Sequence, residues 1–168
     1  MCTKTIIDAD SLRHFTENTK GSAGSQLRNW IRKGHGVIVY TTDYDNKFAE
    51  ELKCNHRAAS LLKDFLDNQK AEVIDHTECS EAERYIPDNP IRKSDDPHVL
   101  ALAKVSNATV LFSCDGKLRS DFKDTNVLSK VGNRQRANMP DLFNQIPTDV
   151  SGRKRRHEFL QQRRCFLK

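Results

Sequence analysis

Acidic side chains recur in this sequence where a chain crossing a sheet would turn over. Asp8 closes the short apolar run TKTIID, Asp96 opens the segment DPHVLALAKV, and Asp115 follows the β-rich run TVLFSC. Glu50 and Glu51 sit on a segment in which Phe48 and Leu52 form an i, i+4 pair, so one of the two could reach the same edge. Three or four carboxylates in one pocket repel each other, which raises their pKa values when no cation is present. A divalent cation removes that cost, and ligation by oxygen alone suits Mg²⁺ or Mn²⁺. An ion held this way polarises a phosphoryl oxygen, lowers the pKa of a bound water and orients it for in-line attack. Ser113, two residues before Asp115, adds a hydroxyl as a ligand or as a hydrogen-bond partner to one. The five cysteines and six histidines show no nucleophile–base pattern.

Each acid taken singly has an ordinary explanation. An Asp after a strand is often a helix cap or an Asx turn. Asp95 and Asp96 suit a helix dipole, Glu50 and Glu51 a solvated helix face, and His98 a surface or cap position. Trp30 and the phenylalanines read as core residues. The combination changes the balance, because acids recur at strand ends with no matching bases beside them.

The elements that must position these residues are legible in the apolar pattern. Thr3 to Asp8 reads as a strand, and Leu12 and Phe15 as a helix that Gly21–Gly24 breaks. Ser25 is placed to cap a helix carrying Leu27, Trp30 and Ile31 inward, and Val37–Tyr40 is a second buried strand. A helix from about 58 to 66 and a third strand near Ala71–Ile74 follow, then a polar loop with a helical turn over 76–95. Asp96-Pro97 opens an apolar helix that Asn107 ends, with proline preorganised for the first helical position. Thr109–Phe112 is a buried strand delivering Ser113 and Asp115 to its carboxyl end, and Asn126–Leu128 reads as an edge strand. Strands alternating with helices predict the α/β class, a mostly parallel sheet with helices on both faces. Sites in such sheets form at the carboxyl ends of the strands.

At 168 residues the chain suits one domain over about 1–150 that buries roughly 70% of its unfolded surface. No apolar run approaches the roughly 20 residues that span a bilayer. The start, MCTKTIIDAD, enters a strand without signal-peptide architecture. The cysteines (Cys2, Cys54, Cys79, Cys114, Cys165) are odd in number and scattered, which points to reduced thiols in a cytoplasm. The +5 net charge is uneven: residues 153–168 hold seven Lys/Arg and one Glu, leaving 21 basic and 22 acidic residues elsewhere. The high pI therefore belongs to a basic tail over 151–168 that includes Arg153, Lys154, Arg155 and Arg156. Phe159, Leu160, Phe166 and Leu167 give that tail seven-residue spacing, a basic amphipathic pattern suited to RNA or a partner.

In order and spacing, IIDAD, DPHVLALA and LFSCD resemble the PIN-domain nucleases, a superfamily that includes the VapC-type toxins of bacterial toxin–antitoxin pairs. The likeness covers about residues 3–130. It implies a three-layer α/β/α fold with an acidic Mg²⁺/Mn²⁺ pocket that cuts single-stranded or structured RNA through a metal-activated water. By position it implies Asp8, Asp96 and Asp115 as metal-binding acids, Ser113 as the hydroxyl residue, and Glu51 (followed by Leu52) as the fourth acid, with Glu50 its rival. Asp10 stands where many relatives carry Asn, and Asp121 either joins the pocket or caps a turn. The toxin branch of the family implies an antitoxin partner, whereas related domains act in RNA processing and quality control, and homodimers are common among the relatives. Arg92, Lys93, Lys117 and Arg119 are candidate contacts to the RNA backbone.

Two rival readings differ in kind. IIDADSL also resembles a haloacid-dehalogenase-like phosphatase, with Asp8 as nucleophile, Asp10 as acid/base and Thr41 or Thr42 as the hydroxyl. The spacing of Asp115 and Asp121 fits that family poorly, and Asp96 would have no role in it. The other rival is a non-catalytic module that binds RNA or a partner. The tail has its own test: removing 153–168 should weaken RNA binding and flatten the dependence of log K on log salt by up to about 5, from seven cations at about 0.7 each. An unchanged slope in salt-titrated binding would show that the tail does not touch RNA.

Overall fold

A computed structural model describes residues 3–17, 19–41 and 52–128, with the backbone of 137 and 138. Glu50, Glu51, Thr42 and the tail residues Arg153, Lys154, Arg155 and Arg156 lie outside the described residues. So does the boundary expected at 150.

Five parallel strands form one sheet in the order β3-β2-β1-β4-β5. They are β1 (Thr3–Ile7), β2 (Gly36–Tyr40), β3 (Ala71–Val73), β4 (Val110–Phe112) and the two-residue β5 (Ala137–Asn138). Strand β2 is buried along its whole length, as its unbroken run of apolar and aromatic residues requires of a strand covered on both faces. Alternation along the strands divides the core. Ile7, Ile38, Tyr40, Val110 and Phe112 point into one cluster, with α1 (Leu12–Thr16), α2 (Ala23–Arg32) and α3 (His56–Asp67) over them. Ile6, Val39 and Leu111 point into the other, under α4 (His76–Glu83), α5 (Pro97–Ser106) and α6 (Gly116–Lys123). The architecture is a three-layer α/β/α sandwich.

Helix α5 is the most enclosed, with Val99 to Ala103 all buried. It lies between the sheet and α4, so an apolar stripe on one side alone would not serve it. Proline stands in its first turn, and Asn107 ends it in the left-handed conformation at φ 57°. Trp30 and the phenylalanines of the described residues, Phe15, Phe65, Phe112 and Phe122, are core residues as expected. Among the described residues no helix is long and apolar enough to cross a membrane, and Cys54, Cys79 and Cys114 are free thiols. Burial, then the charges of Glu78 and Asp75, push the Cys79 thiol up to about 11, so it stays neutral in the core.

Three expectations need correction. Helix α2 is capped by Ser22, whose hydroxyl accepts the Ser25 N–H at 3.2 Å, so Ser25 lies inside the helix it was expected to cap. The stretch after Asp75 is the eight-residue α4, because the Asp75 carboxylate accepts the Thr77 N–H at 2.7 Å and satisfies a first-turn donor. Asn126–Leu128 is a turn, with the Val127 and Leu128 N–H groups donating to Asp124 O. Its apolar side chains are buried in the core, and β5 takes the place beside β4.

Two glycines mark where backbones meet. At Gly36 the Trp30 indole fills the space of a Cβ. At Gly24, in the first turn of α2, a Cβ would come within 2.8 Å of Phe15 Cα and nearer still to His14 O. Both neighbours are backbone and cannot rotate away. Gly24→Ala therefore sets a helix-propensity gain of about 1 kcal/mol against an overpacking cost of up to about 3 kcal/mol. The clash should win: urea unfolding is expected to show a net loss of about 2 kcal/mol.

Candidate active site

The strand order reverses between β1 and β4. From β1 the chain moves outward through β2 to β3, then returns to place β4 on the other side of β1. Loops leaving these two neighbours diverge to opposite faces and open a crevice at the carboxyl edge. Asp8 follows β1, and Ser113 with Asp115 follows β4, so the switch point collects these three.

The register brings them into contact. Ile7 pairs with Phe112, and the Asp8 N–H donates to Phe112 O at 3.0 Å, which places Asp8 and Ser113 side by side. The Ser113 hydroxyl donates to Asp8 Oδ2 at 2.8 Å across 105 residues of sequence, and both side chains are buried. The same hydroxyl oxygen accepts the Asp115 N–H at 3.0 Å. Ser113 thus joins the two acids, donating to one and accepting from the backbone of the other. Asp115 caps α6, its Oδ1 accepting the Lys117 N–H at 2.7 Å. Ser11 completes the junction from a 3-10 turn over Ala9–Ser11: fully buried, it accepts the Cys114 N–H at 2.8 Å and ties the exit of β1 to the exit of β4.

Asp96 reaches the same edge by a different route. Helix α5 leads directly into β4, so its carboxyl end lies at the far edge of the sheet. Its ten residues then return Asp96 by about 15 Å to the edge where the strands end. Asp96 is half-buried and caps α5 by position without a side-chain cap bond. Its carboxylate is therefore not engaged in capping, unlike that of Asp115. The loop before it is held by Asp121, which is 1% exposed. Asp121 Oδ2 accepts the backbone N–H groups of Lys93 at 2.9 Å and Ser94 at 2.6 Å. Since Asp121 lies on the helix that Asp115 begins, this carboxylate couples the placement of Asp96 to that of Asp115.

The remaining candidates separate clearly. Asp10 is exposed on the 3-10 turn. The Arg92 side chain is engaged within its own loop, donating to Pro87 O at 3.2 Å and to Ser94 O, with Asp88 at 3.9 Å. Arg119 Nη1 donates to Ser113 O at 3.0 Å and braces the exit of β4, while Lys93 and Lys117 are exposed. Two residues that the sequence reading missed or gave only to the rival also stand here. Ser11 offered no signal beyond a serine near a turn, and Thr41, at the end of β2, has a buried hydroxyl with no partner among the described residues.

The donor chemistry is all oxygen and fits a hard divalent cation. Among the described residues, however, no group of three or more His, Cys, Asp or Glu side chains is arranged to hold an ion. Asp115 gives one oxygen to its helix, and Glu50 and Glu51 are not among those residues. What the structure brings together is the Asp8–Ser113–Asp115 junction, with Asp96 on an adjoining helix start.

The double acceptor at Asp121 has a measurable consequence. Asp121→Ala leaves the buried Ser94 N–H and the part-buried Lys93 N–H without this acceptor. It should cost about 3 kcal/mol in urea unfolding, since bonds to a charged acceptor contribute about 1.5–3 kcal/mol each and do not add fully. Asp121→Asn keeps a carbonyl acceptor and should cost less than half as much. Equal losses for the two variants would show that the bonds are not what Asp121 contributes. Comparisons with protein-family models, with curated proteins and with solved structures return no match, so the functional reading rests on the chain's own residues.

Proposed function

We propose that this chain is a Mg²⁺/Mn²⁺-dependent endoribonuclease of the PIN type, hydrolysing RNA phosphodiester bonds. The observation that supports it most directly is the meeting of Asp8, Ser113 and Asp115 at the switch point, bonded through one hydroxyl. A resident Mg²⁺ or Mn²⁺, held by Asp8, Asp96 and Asp115 with Glu51 as fourth acid, would supply Lewis-acid stabilisation and an activated water. The chain's own residues do the positioning. Ser113 fixes the orientation of the Asp8 carboxylate and leaves Oδ1 outside that bond. Asp121 sets the loop from which Asp96 projects. Lys93 and Lys117, exposed beside the acids in sequence, are suited to backbone phosphates, which orient a nucleic acid without reading its bases.

The biological setting we infer is a cytoplasmic enzyme, with a VapC-type toxin restrained by an antitoxin as the proposed branch. The deciding experiment incubates total RNA with the purified protein in Mn²⁺, Mg²⁺ or EDTA, beside Asp96→Asn and Asp8→Asn. Cleavage should require the metal. Each variant should lose more than about 100-fold in rate, beyond the 10–100-fold usual for residues that only orient ligands. Hydrolysis of a small phosphomonoester without RNA cleavage would overturn the nuclease in favour of a phosphatase. Undiminished cleavage by Asp96→Asn would overturn the assigned site.

A further inference from the structure

A second polar feature lies on the opposite side of the sheet from α5 and α6. Helices α2 and α3 border an open cleft of about 670 Å³, within the size range of small-molecule sites. Its lining is strongly cationic: Arg28 and Arg32 from α2 and Arg57 from α3, against the single carboxylate of Asp64. Ser25, Asn29 and Ser60 add neutral hydrogen-bonding groups. Ligand pockets are commonly apolar with a few polar groups, and this one reverses that proportion.

Arg28 is the unusual member. It is 7% exposed and has no carboxylate partner among the described residues. One Nη donates to Glu17 O at 2.6 Å, the guanidinium lies 5.8 Å from the centre of the Phe15 ring, and Nη1 has no hydrogen-bond partner among the described residues. Burying a cation without a counter-charge is costly. Here the cost is compounded, because burial first, then the charges of Arg32 and Arg57, hold the Arg28 pKa below its ordinary value. Asp64 does not resolve this: it pairs with Arg32 at 3.7 Å, accepts from Asn68 at 3.1 Å, and is exposed. A buried charge set behind two exposed guanidiniums projects a positive field into the cleft, and an anion entering it would relieve all three.

We propose that the α2–α3 cleft is a binding site for a phosphate-class oxyanion. Arg57 and Arg32 contact it through the planar fork that suits phosphate oxygens. Arg28 acts from behind them as a fixed charge, and Ser60 and Asn29 offer neutral donors. The site is separate from the acidic junction and does not depend on a metal. Its ligand is a phosphomonoester or a phosphodiester, since both present the same oxygens to the arginines.

The test uses the full chain in EDTA. Inorganic phosphate is titrated against chloride at matched ionic strength, with binding followed by calorimetry and thermal unfolding. Phosphate should bind saturably and raise the midpoint where chloride does not. Arg57→Gln, an exposed position, should fold normally by circular dichroism and bind phosphate at least tenfold more weakly. Arg28→Lys, the second variant, keeps the charge behind the cleft while losing the tie to Glu17 O, and should still bind phosphate saturably. Adenosine monophosphate and a short single-stranded RNA then separate the sources: competition with phosphate by the nucleotide alone indicates a monoester, and by the RNA a diester. No saturable phosphate binding, equal effects of chloride, binding unaltered in Arg57→Gln, or binding lost in a folded Arg28→Lys would each overturn the site.

Discussion

The pairing of β4 beside β1 is the constraint on which the rest of the molecule depends. Neither strand could lie elsewhere at low cost, because side chains on both faces of each are buried in separate clusters. A shift of one residue would exchange Ile6 with Ile7 and Leu111 with Phe112 between those clusters. The register that packs the core also sets Asp8 beside Ser113. Apolar packing thereby fixes a polar geometry between residues more than a hundred positions apart, and the loops leaving the two strands must open on opposite faces. The acidic crevice follows from strand order and register together.

What holds the crevice in shape is a small set of enclosed polar ties. Ser113 to Asp8, Cys114 to Ser11, and Lys93 and Ser94 to Asp121 all join segments distant in sequence. The bonds to the Asp8 and Asp121 carboxylates contribute about 1.5–3 kcal/mol each, and the neutral bond from Cys114 to Ser11 about 0.5–1.5 kcal/mol. The surface pairs, such as Lys4–Glu72 and Arg32–Asp64, belong to a class contributing about 0–1 kcal/mol. The acids therefore divide by what their carboxylates meet. Asp75 is a cap: exposed, with its carboxyl held below the usual range chiefly by the Thr77 N–H. Asp121 is a buried clamp for backbone. Asp115 caps a helix through one oxygen, while Asp96 occupies a cap position without making the cap bond.

These differences explain how far the sequence could be read. Strands β1 to β4 and the helix after Asp96 were legible because of their apolar runs or strong end signals, Pro97 at one end of the helix and Asn107 at the other, whereas β5 was not. Helix α4 was not, because HTECSEAE buries only Cys79 and so has no apolar stripe; its cap at Asp75 was the available signal. Val127 and Leu128 looked like a strand because burial in a turn leaves the same apolar residues as burial in a sheet. Of the site, the acids at strand ends could be proposed from type and position, and the structure brings Asp8, Ser113 and Asp115 together. The clamp by Asp121 and the bond from Cys114 to Ser11 could not be read, since both depend on which loops meet in space. The arginines of the α2–α3 cleft are scattered as 28, 32 and 57, and only the packing of two helices makes them one group.

Charge is arranged across the sheet with some economy. Outside residues 153–168 the chain is nearly neutral, yet Asp8, Asp96 and Asp115 lie at the carboxyl edge and three arginines line the α2–α3 cleft. Helix α1 joins the two regions: it begins four residues after Asp8 and ends at Thr16, which lines the cleft. Helical geometry makes that path on the order of 15 Å. The two regions would act on a polyanion in opposite senses until a cation arrives. Unmetallated carboxylates repel phosphate, whereas the arginines attract it at any metal concentration. If the ligand of the proposed site is a phosphodiester, a nucleic acid strand would be captured by the cleft independently of metal and presented to the acids only when a divalent ion has reversed the sign of their field. On this arrangement metal would govern turnover more steeply than binding, which would separate the two proposed roles physically although one short helix connects them.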